Sequence, residues 1–352
     1  MTEQTFLLYG ANGYTGELIA RYSQQYQLQP ILAGRNEAAI AALAAKLHLP
    51  YRIFELENTS ALLQSLREVK AVVNAAGPFT RTAKKMVDAC LQTGTHYLDI
   101  NGDITVFELL KMADDDAKKA GIMVLPGVGF DVVPTDCLSL FLKNSLPDAL
   151  SIQLAFATAG GGISHGTAIS MLSKLGKGGA VRKNGMIVNV PLGHKQMHVD
   201  FGERKFLTMC IPWGDISTAY FTTGISDIET YTGTKPYISN LLKFQSMYNW
   251  LLRTSVIRQL IERKINRRPA GPSDIQRSKA TAYIWGQVKN AAGKTITATM
   301  RCPEGYTLTA MAALLITQKV LQGNFKTGYQ TPASAYGADL VLEVPGVKRA
   351  AG

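Results

Sequence analysis

The chain has 352 residues, of which 46% are hydrophobic and 18% are charged, enough apolar material for two globular domains with separate cores. The sequence holds no run of eighteen apolar residues, so a membrane-spanning helix is not expected. The formal net charge of +11 favours anionic ligands in general, such as nucleotide phosphates, acyl-CoA, nucleic acid or acidic lipid.

The first predicted element is a strand over 5–10, which ends in glycines and leads directly into a helical pattern over 15–26. A helix start exposes unpaired N–H groups and carries about half a positive charge. Glycines in the turn let the backbone approach a pyrophosphate closely. The segment therefore predicts a dinucleotide site, the alternative being an ordinary strand-to-helix turn. The residues expected to bind the cofactor here are Gly10, Ala11, Asn12, Gly13, Tyr14, Thr15 and Gly16.

The second predicted strand, 30–34, indicates which dinucleotide is bound. An NAD-dependent enzyme places an acidic residue at the end of this strand, whereas an NADP-dependent one tolerates or needs an arginine there. Here the strand is followed by Arg35 and Asn36, and the first acid, Glu37, lies inside the next predicted helix. We expect Arg35 to contact the 2′-phosphate of NADP, an interaction worth roughly 1.5–3 kcal/mol. The alternative is a surface arginine beside an Asn36 helix cap.

Residues 1–128 continue this alternation, which predicts a Rossmann-type parallel sheet with helices on both faces. The further strands are expected at 51–55, 70–76, 96–100 and 122–126, and the helices at 37–47, 59–67, 80–93 and 105–120. The fourth strand leads into small residues that permit close approach to a ribose or nicotinamide, although a plain turn explains them nearly as well. These residues are Ala75, Ala76, Gly77 and Pro78. Tyr97 and Asp99 share one face of the fifth strand, with Asn101 after its end.

Residues 129–304 predict an inserted α+β domain whose sheet is mostly antiparallel. Strands are expected at 150–158, at several places within 186–233, and in a hairpin formed by 280–288 and 295–300; a helix is expected at 164–176. Residues 305–352 hold a final apolar helix, 308–321, which is expected to pack back on the first domain.

The stretch from Pro236 to Arg268 combines apolar residues at helical spacing with interspersed arginines, including Phe244, Leu251 and Arg253. Such a basic amphipathic pattern is compatible with a domain core or a homodimer contact, with an anionic membrane surface, or with part of an acyl tunnel. Nucleic acid is not expected as a partner, because aromatic and basic residues do not interleave and no recognition helix is visible.

With these residues in hand, the chain resembles the saccharopine dehydrogenase-like oxidoreductase family. The matching segments, in chain order, are 10–16 with 32–36, 72–79, 94–99 with Gly102 and Asp103, 129–136, 166–168, 271–273, 305–306 with 309–310, 331–333 and 336–337. The resemblance implies a Rossmann domain, an inserted substrate domain and a C-terminal helix returning to the first domain. Because relatives include saccharopine-forming reductases and trans-acting enoyl reductases, it implies NADP-linked reduction and leaves the substrate open.

Hydride transfer to or from a C=C, C=N or C=O bond needs the nicotinamide held near the acceptor carbon of a small-molecule or acyl substrate, together with a proton donor. Two residues are candidates for the donor. His165 lies in a glycine-rich loop; the alternative to a catalytic role is that Ser164 caps a helix and His165 is merely exposed in its first turn. Asp131 follows the sixth strand; the alternative to a catalytic role is that it makes structural hydrogen bonds. A non-catalytic NADP-binding scaffold and a membrane-peripheral lipid reductase are the rival functions.

Compartment is indicated by the cysteines and by the start of the chain. The four cysteines are far apart and form no CxxC pair, so buried reduced thiols are expected rather than disulfides, and no metal site is expected. Residues 1–4 lead into the first strand without a basic-plus-apolar signal segment. We therefore expect a cytoplasmic protein.

Overall fold

The structure is a computed structural model that describes residues 5–174, 176–243, 245–252 and 254–351. The chain divides into two compact units. The first unit comprises Met1–Val133 and Tyr306–Pro345, and the second comprises Pro134–Gly305 and Gly346–Gly352. The boundaries predicted from the sequence lie at 128 and 304, and the whole of 305–352 is predicted to return to the first domain.

The first unit is built on a parallel sheet that has seven strands among the described residues. The strands are β1 (Thr5–Tyr9), β2 (Gln29–Gly34), β3 (Tyr51–Ile53), β4 (Ala71–Asn74), β5 (His96–Asp99), β6 (Met123–Leu125) and β15 (Gly328–Tyr329). The helices are α1 (Tyr14–Tyr22), α2 (Glu37–Leu47), α3 (Thr59–Arg67), α4 (Phe79–Thr93), α5 (Ile104–Lys111), α6 (Asp114–Lys119), α14 (Gly305–Leu321) and α15 (Pro332–Tyr336).

The strand order of this sheet is β15-β6-β5-β4-β1-β2-β3, with parallel neighbours throughout. The chain moves outward from β1 in one direction and then from β4 in the other, so right-handed crossovers place the helices on opposite faces. Central strands such as β4 are buried along their whole length, as expected for a sheet covered on both sides. The predicted Rossmann-type fold is confirmed.

The second unit holds a mixed sheet with nine strands among the described residues. The strands are β7 (Ala149–Ala159), β8 (Gly179–Lys183), β9 (Met186–Val190), β10 (Gln196–Asp200), β11 (Lys205–Cys210), β12 (Asp227–Gly233), β13 (Thr281–Asn290), β14 (Thr295–Pro303) and β16 (Lys348–Ala351). The helices are α7 (Val133–Ser145), α8 (His165–Lys174), α9 (Asp215–Thr223), α10 (Pro236–Lys243), α11 (Gln245–Leu252), α12 (Ser255–Asn266) and α13 (Asp274–Ser278).

In this second sheet the main path runs β10-β11-β12-β7-β13-β14-β16, and β8 joins β12 to β9. The β12–β7 pair is parallel and the other pairs are antiparallel, so the predicted mostly antiparallel sheet is confirmed. Its core on one face is aromatic, centred on Tyr231, Tyr283, Trp285 and Phe201.

Several regions differ from the sequence-based expectation, among them the expected strands of 186–233, where Asp215–Thr223 form helix α9. The expected helix 105–120 is two helices, α5 and α6, and the expected pattern 236–268 is three helices, α10, α11 and α12, with Phe244, Arg253 and the Leu251 side chain outside the described residues. The segment 346–352 is assigned to the second unit because β16 pairs antiparallel with β14.

Candidate functional site

The glycine-rich turn after β1 is held tightly between neighbouring strands and α1. The N–H groups of Gly10 and Ala11 donate to the Ala33 carbonyl at 2.8 and 3.2 Å, which ties the turn to β2. Gly10 has φ +83°, and a Cβ there would lie 2.7 Å from the Ala76 nitrogen; a Cβ on Gly16 would overlap the Gly10 carbonyl. Both positions therefore require glycine on geometric grounds.

Helix α1 begins directly after this turn, and its N-cap residue, Gly13, has no side-chain cap. The first-turn N–H groups of a helix have no intrahelical acceptor, so an anion placed here is bound by main-chain groups. Asn12 is exposed beside the turn, and a Cβ on Gly34 would lie 3.3 Å from its Oδ1 atom, so this side chain lies over the end of β2. Tyr14 packs edge-on against Tyr306, with ring centroids 5.0 Å apart. Thr15 is half-buried in the first turn of α1.

Arg35 lies exposed immediately after β2. The pKa of the Glu57 carboxyl is lowered mainly by a hydrogen bond from Lys85, and the positive charge of Arg35 lowers it further. Burial raises the pKa of Tyr9 to about 12, and the charge of Arg35 opposes this rise. The Asn36 Oδ1 atom accepts from the Ala39 N–H at 3.1 Å and so caps α2. The capping role noted for Asn36 is therefore present, while Arg35 is exposed at the strand end.

These residues fit NADP on structural grounds. The cradle at Gly10 and Gly16 is closed to any Cβ, which keeps main-chain atoms at its surface, and the uncapped start of α1 suits a pyrophosphate. A guanidinium at the end of β2, with no carboxylate between β2 and α2, suits a 2′-phosphate.

The loop after β4 lies against the glycine turn. The Ala75 N–H donates to the Tyr9 carbonyl at 2.8 Å, and the Ala76 N–H donates to Asn74 Oδ1 at 3.1 Å. Thr82 Oγ1 in turn donates to the Ala76 carbonyl at 2.7 Å. The structure thus brings Ala75 and Ala76 together with Gly10, and leaves Gly77 and Pro78 exposed at the start of α4.

A fully buried polar network, which sequence reasoning did not assign to the site, lies at the ends of β4, β5 and β6. Asp99 Oδ2 accepts from the Tyr97 hydroxyl at 2.7 Å, and Oδ1 accepts from the N–H groups of Asn101 and Gly127, both at 2.9 Å. Asn74 Nδ2 reaches the Tyr97 hydroxyl at 3.4 Å. Burial raises the pKa of Asp99 to about 6, against the opposing effect of its three donors. The network fixes three strand ends to one another.

The two candidate acids occupy different units. Asp131 lies in the first unit, where a Cβ on Gly102 would overlap its carboxylate, so Asp131 packs against the turn that follows β5. His165 is the first residue of α8 in the second unit, and its Nε2 atom lies 2.7 Å from Asn266 Oδ1. Ser164 Oγ accepts from the Thr167 N–H at 3.1 Å, which is the helix cap named as the alternative.

Comparison with known proteins agrees with this geometry. Residues 6–125 match the protein-family model described as the saccharopine dehydrogenase NADP binding domain. The match spans the first unit's sheet from β1 to β6. The resemblance inferred from the sequence and the expected cofactor, NADP, are thereby confirmed.

Two curated proteins that match about half of this chain carry related names. A saccharopine dehydrogenase-like oxidoreductase of Mus musculus is 26% identical over 202 residues, covering 50% of this chain and 47% of the mouse protein. A Mycobacterium tuberculosis protein, whose name proposes a trans-acting enoyl reductase, is 30% identical over 190 residues, covering 49% and 44%. The chain therefore spans about half the length of the curated relatives it matches.

A solved structure has a fold similar to that of both units. Apo saccharopine dehydrogenase (L-Glu forming) from Saccharomyces cerevisiae superposes with a TM-score of 0.68 at 14% identity, covering 99% of this chain and 100% of that one.

In the part of the chain that the structure describes, there is no cluster of metal-ligating side chains and no helix long and apolar enough to cross a membrane.

Proposed function

We propose that this protein is an NADP(H)-dependent oxidoreductase that transfers a hydride to or from a C=C, C=N or C=O bond of a small-molecule or acyl substrate. The observation that carries the proposal is the glycine turn at Gly10–Gly16, followed by an uncapped helix and by Arg35 at the end of β2, within a domain of an NADP-binding family. Bound NADPH would supply the hydride. The names of the relatives, an oxidoreductase and a trans-acting enoyl reductase, support a redox reaction and leave open which of the three bonds is reduced.

The chain's own residues bind and orient the cofactor in this proposal. Main-chain N–H groups at the start of α1 bind the pyrophosphate, and Arg35 binds the 2′-phosphate. Ala75 and Ala76, fixed by Asn74 and Thr82, limit the position of the ribose and nicotinamide at the carboxyl ends of the strands. Of the two candidate acids, Asp131 is the one at the strand ends of the first unit, and we retain it as the candidate proton donor.

The cofactor assignment is tested by calorimetric titration of the full chain with NADPH and with NADH. In Arg35→Ala, we expect NADPH to bind about ten- to a hundredfold more weakly, because a charge-assisted contact worth roughly 1.5–3 kcal/mol is lost. NADH has no 2′-phosphate, so its affinity should not change. The matched control is Arg67→Ala, an exposed arginine in the last turn of α3.

The activity is tested by the loss of reduced-nicotinamide absorbance with enoyl, imine and carbonyl compounds in turn. Turnover of one class identifies the bond that is reduced. Failure of both dinucleotides to bind the wild-type protein would overturn the proposal, and tight NADPH binding without turnover of any class would favour a non-catalytic NADP-binding scaffold.

We further propose a cytoplasmic location. All four cysteines are buried and form no disulfide bond among the described residues, and burial raises the pKa of Cys90 and Cys302, which suits a compartment where thiols stay reduced. A fluorescent fusion followed by fractionation tests this, and recovery from an oxidising compartment would contradict it.

A further inference from the structure

The helices α10, α11 and α12 expose an unusual number of large apolar side chains for a surface. The exposed fractions are 67% for Tyr237, 60% for Leu241, 72% for Met247, 68% for Trp250, 64% for Val256 and 53% for Leu260. The residues of each pair recur at helical spacing on their own helix, so each helix presents an apolar strip rather than an isolated residue. Because α10 contacts α11 and α11 contacts α12, these strips lie on neighbouring helices, and exposed apolar surface of this kind is typical of an interaction site.

In helix α12, the exposed apolar strip is separate from the side of the helix that packs on the core. Its Ile261 and Ile265 pack with Ala168 and Leu172 of α8, so the core-facing side of the helix is already in use. At 3.6 residues per turn, Val256 and Leu260 lie on the opposite side.

The same outer side of α12 carries positive charge. Arg263, Lys264 and Arg267 share the side of Val256 and Leu260, and Arg268 follows at the end of the helix. These four side chains are exposed, and none of them forms an ion pair with a described residue. The apolar strip of α12 is therefore bordered by unpaired cations.

Charge is concentrated in the whole segment. Residues 235–268 hold eight of the 37 lysines and arginines and one of the 26 acidic residues. About a tenth of the chain therefore carries seven of its eleven net positive charges. A protein partner with an apolar patch would not require this excess, whereas an anionic lipid surface offers both acyl chains and negative headgroups.

We propose that α10, α11 and α12 dock this protein on an anionic membrane surface, with Trp250, Met247 and Leu260 entering the headgroup boundary and Arg263, Lys264 and Arg267 facing acidic headgroups. Exposed tryptophan and tyrosine suit this boundary because their rings are apolar and carry a polar handle. The Trp250 Nε1–H donates to the Met247 carbonyl at 2.9 Å, which keeps the indole nitrogen satisfied.

The test is co-sedimentation of the full chain with vesicles of phosphatidylcholine alone and with vesicles enriched in phosphatidylserine, at low and high salt. We expect binding to the anionic vesicles only, weakened by salt. The triple variant Arg263→Gln, Lys264→Gln, Arg267→Gln should lose about fivefold in affinity for each charge removed. The control triple variant Lys289→Gln, Lys294→Gln, Lys348→Gln makes the same charge change on exposed lysines of the second unit and should bind nearly as the wild type.

The apolar contribution has its own matched pair. Met247→Ser should weaken vesicle binding severalfold, while Met112→Ser, which alters an 81% exposed methionine of the first unit, should leave it unchanged. Fluorescence supplies a direct readout, because Trp250 is exposed while Trp285 is buried. Anionic vesicles should shift the emission to shorter wavelength in the wild type and not in Trp250→Phe.

Two results would overturn the proposal. One is equal binding of both triple variants, which would mean that only net charge matters. The other is light scattering that shows a wild-type dimer and a Trp250→Ser monomer, without vesicle binding by either; the helices would then be a contact between two copies of this chain. NADPH titration of each variant serves as a folding control, and it makes failure of this proposal distinguishable from failure of the proposed oxidoreductase.

Discussion

The two sheets of this protein place their polar groups differently, and the direction of the strands is the reason. All strands of the first sheet run the same way, so the ends of β1, β2, β4, β5 and β6 meet at one edge. The strands of the second sheet run in both directions, so their ends are divided between two edges. A parallel sheet therefore gathers a site at its carboxyl edge, and a mixed sheet does not.

The polar residues of the two sheets follow this rule. In the first unit, Asn74 and Asp99 are the last residues of β4 and β5, and they organise main-chain groups beyond the strands. In the second unit, Gln153, Glu229 and Tyr231 lie within β7 and β12 and bond to one another across the face of the sheet. The first arrangement shapes a binding edge, and the second holds two strands together.

The largest effect is expected at the glycine turn. Gly10→Ala adds a Cβ at φ +83° that would overlap the Ala75–Ala76 main chain, so we expect a loss of about 4 kcal/mol or more in unfolding free energy, with loss of NADPH binding. The control is Gly94→Ala, at φ +71° with open space around it, which should lose only about 1–2 kcal/mol. Denaturant unfolding followed by circular dichroism measures both. Equal losses would show that close approach at Gly10 is unimportant.

The next effect concerns the buried network. Asp99→Ala leaves three donors, the Tyr97 hydroxyl and the N–H groups of Asn101 and Gly127, without their acceptor, so we expect a loss of about 3 kcal/mol. Asp88→Ala, at an exposed carboxylate paired with Lys84, should change the unfolding free energy by about 0.5 kcal/mol or less. Comparable losses in the two variants would mean that the strand ends are not held by Asp99.

The network also predicts a pH dependence. The pKa of Asp99 is raised by burial from 3.8 to about 6, so the folded protein holds a proton between about pH 4 and pH 6 that the unfolded chain has released. The contribution of Asp99 to the unfolding free energy therefore falls as pH rises through this window, by about 3 kcal/mol in total. Asp99→Asn, which keeps the shape, should remove this slope.

The difference between wild type and Asp99→Asn isolates that slope. His96, whose pKa is lowered to about 4 by burial, contributes a slope of opposite sign in both proteins and cancels. Identical pH profiles for the two proteins would contradict the assignment.

The smallest effect is expected in the second sheet. Tyr231→Phe removes a hydroxyl that donates to Glu229 at 2.6 Å, so we expect a loss of about 1 kcal/mol and no change in NADPH affinity. Tyr283→Phe in the same core, whose hydroxyl reaches Glu203 at 3.3 Å, should lose less. Because all three tryptophans lie in the second unit, their fluorescence follows the unfolding of that unit in denaturant. Weakened NADPH binding in Tyr231→Phe would show that the two sheets do not divide their tasks in this way.

Local signals explain which elements could be predicted from the sequence. The expected helices 37–47 and 59–67 match α2 and α3 because Asn36 and Asn58 cap them through their own side chains. Helix α9 was missed because Asp215–Thr223 holds three threonines, one isoleucine and two aromatic residues, all of which favour strands, and its burial in the second unit decides the outcome.

The parts of the candidate site that depend on local sequence could also be predicted, and the parts that depend on strand order could not. The glycine turn is one continuous segment, and Arg35 directly follows a strand that the sequence predicts, so both could be recognised from local sequence alone. The alternation in β5 placed Tyr97 and Asp99 on one face, but their partner at Gly127 lies 28 residues beyond Asp99, and only the strand order brings it near. For Asn36 the sequence allowed either a cofactor contact or a helix cap, and the local geometry shows the helix cap.

The strand β15 has a consequence for synthesis of the chain. It covers β6 through the register of Gly328 with Met123 and of Tyr329 with Val124, so the edge of β6 is completed by residues made some two hundred positions later. At a ribosomal rate of about 5–20 residues per second, that edge waits on the order of ten seconds or more while the 134–305 part of the second unit is made. An open strand edge is a template for pairing with another chain. The nascent first unit therefore passes through a stage at which its β6 edge is open to chaperones or to aggregation.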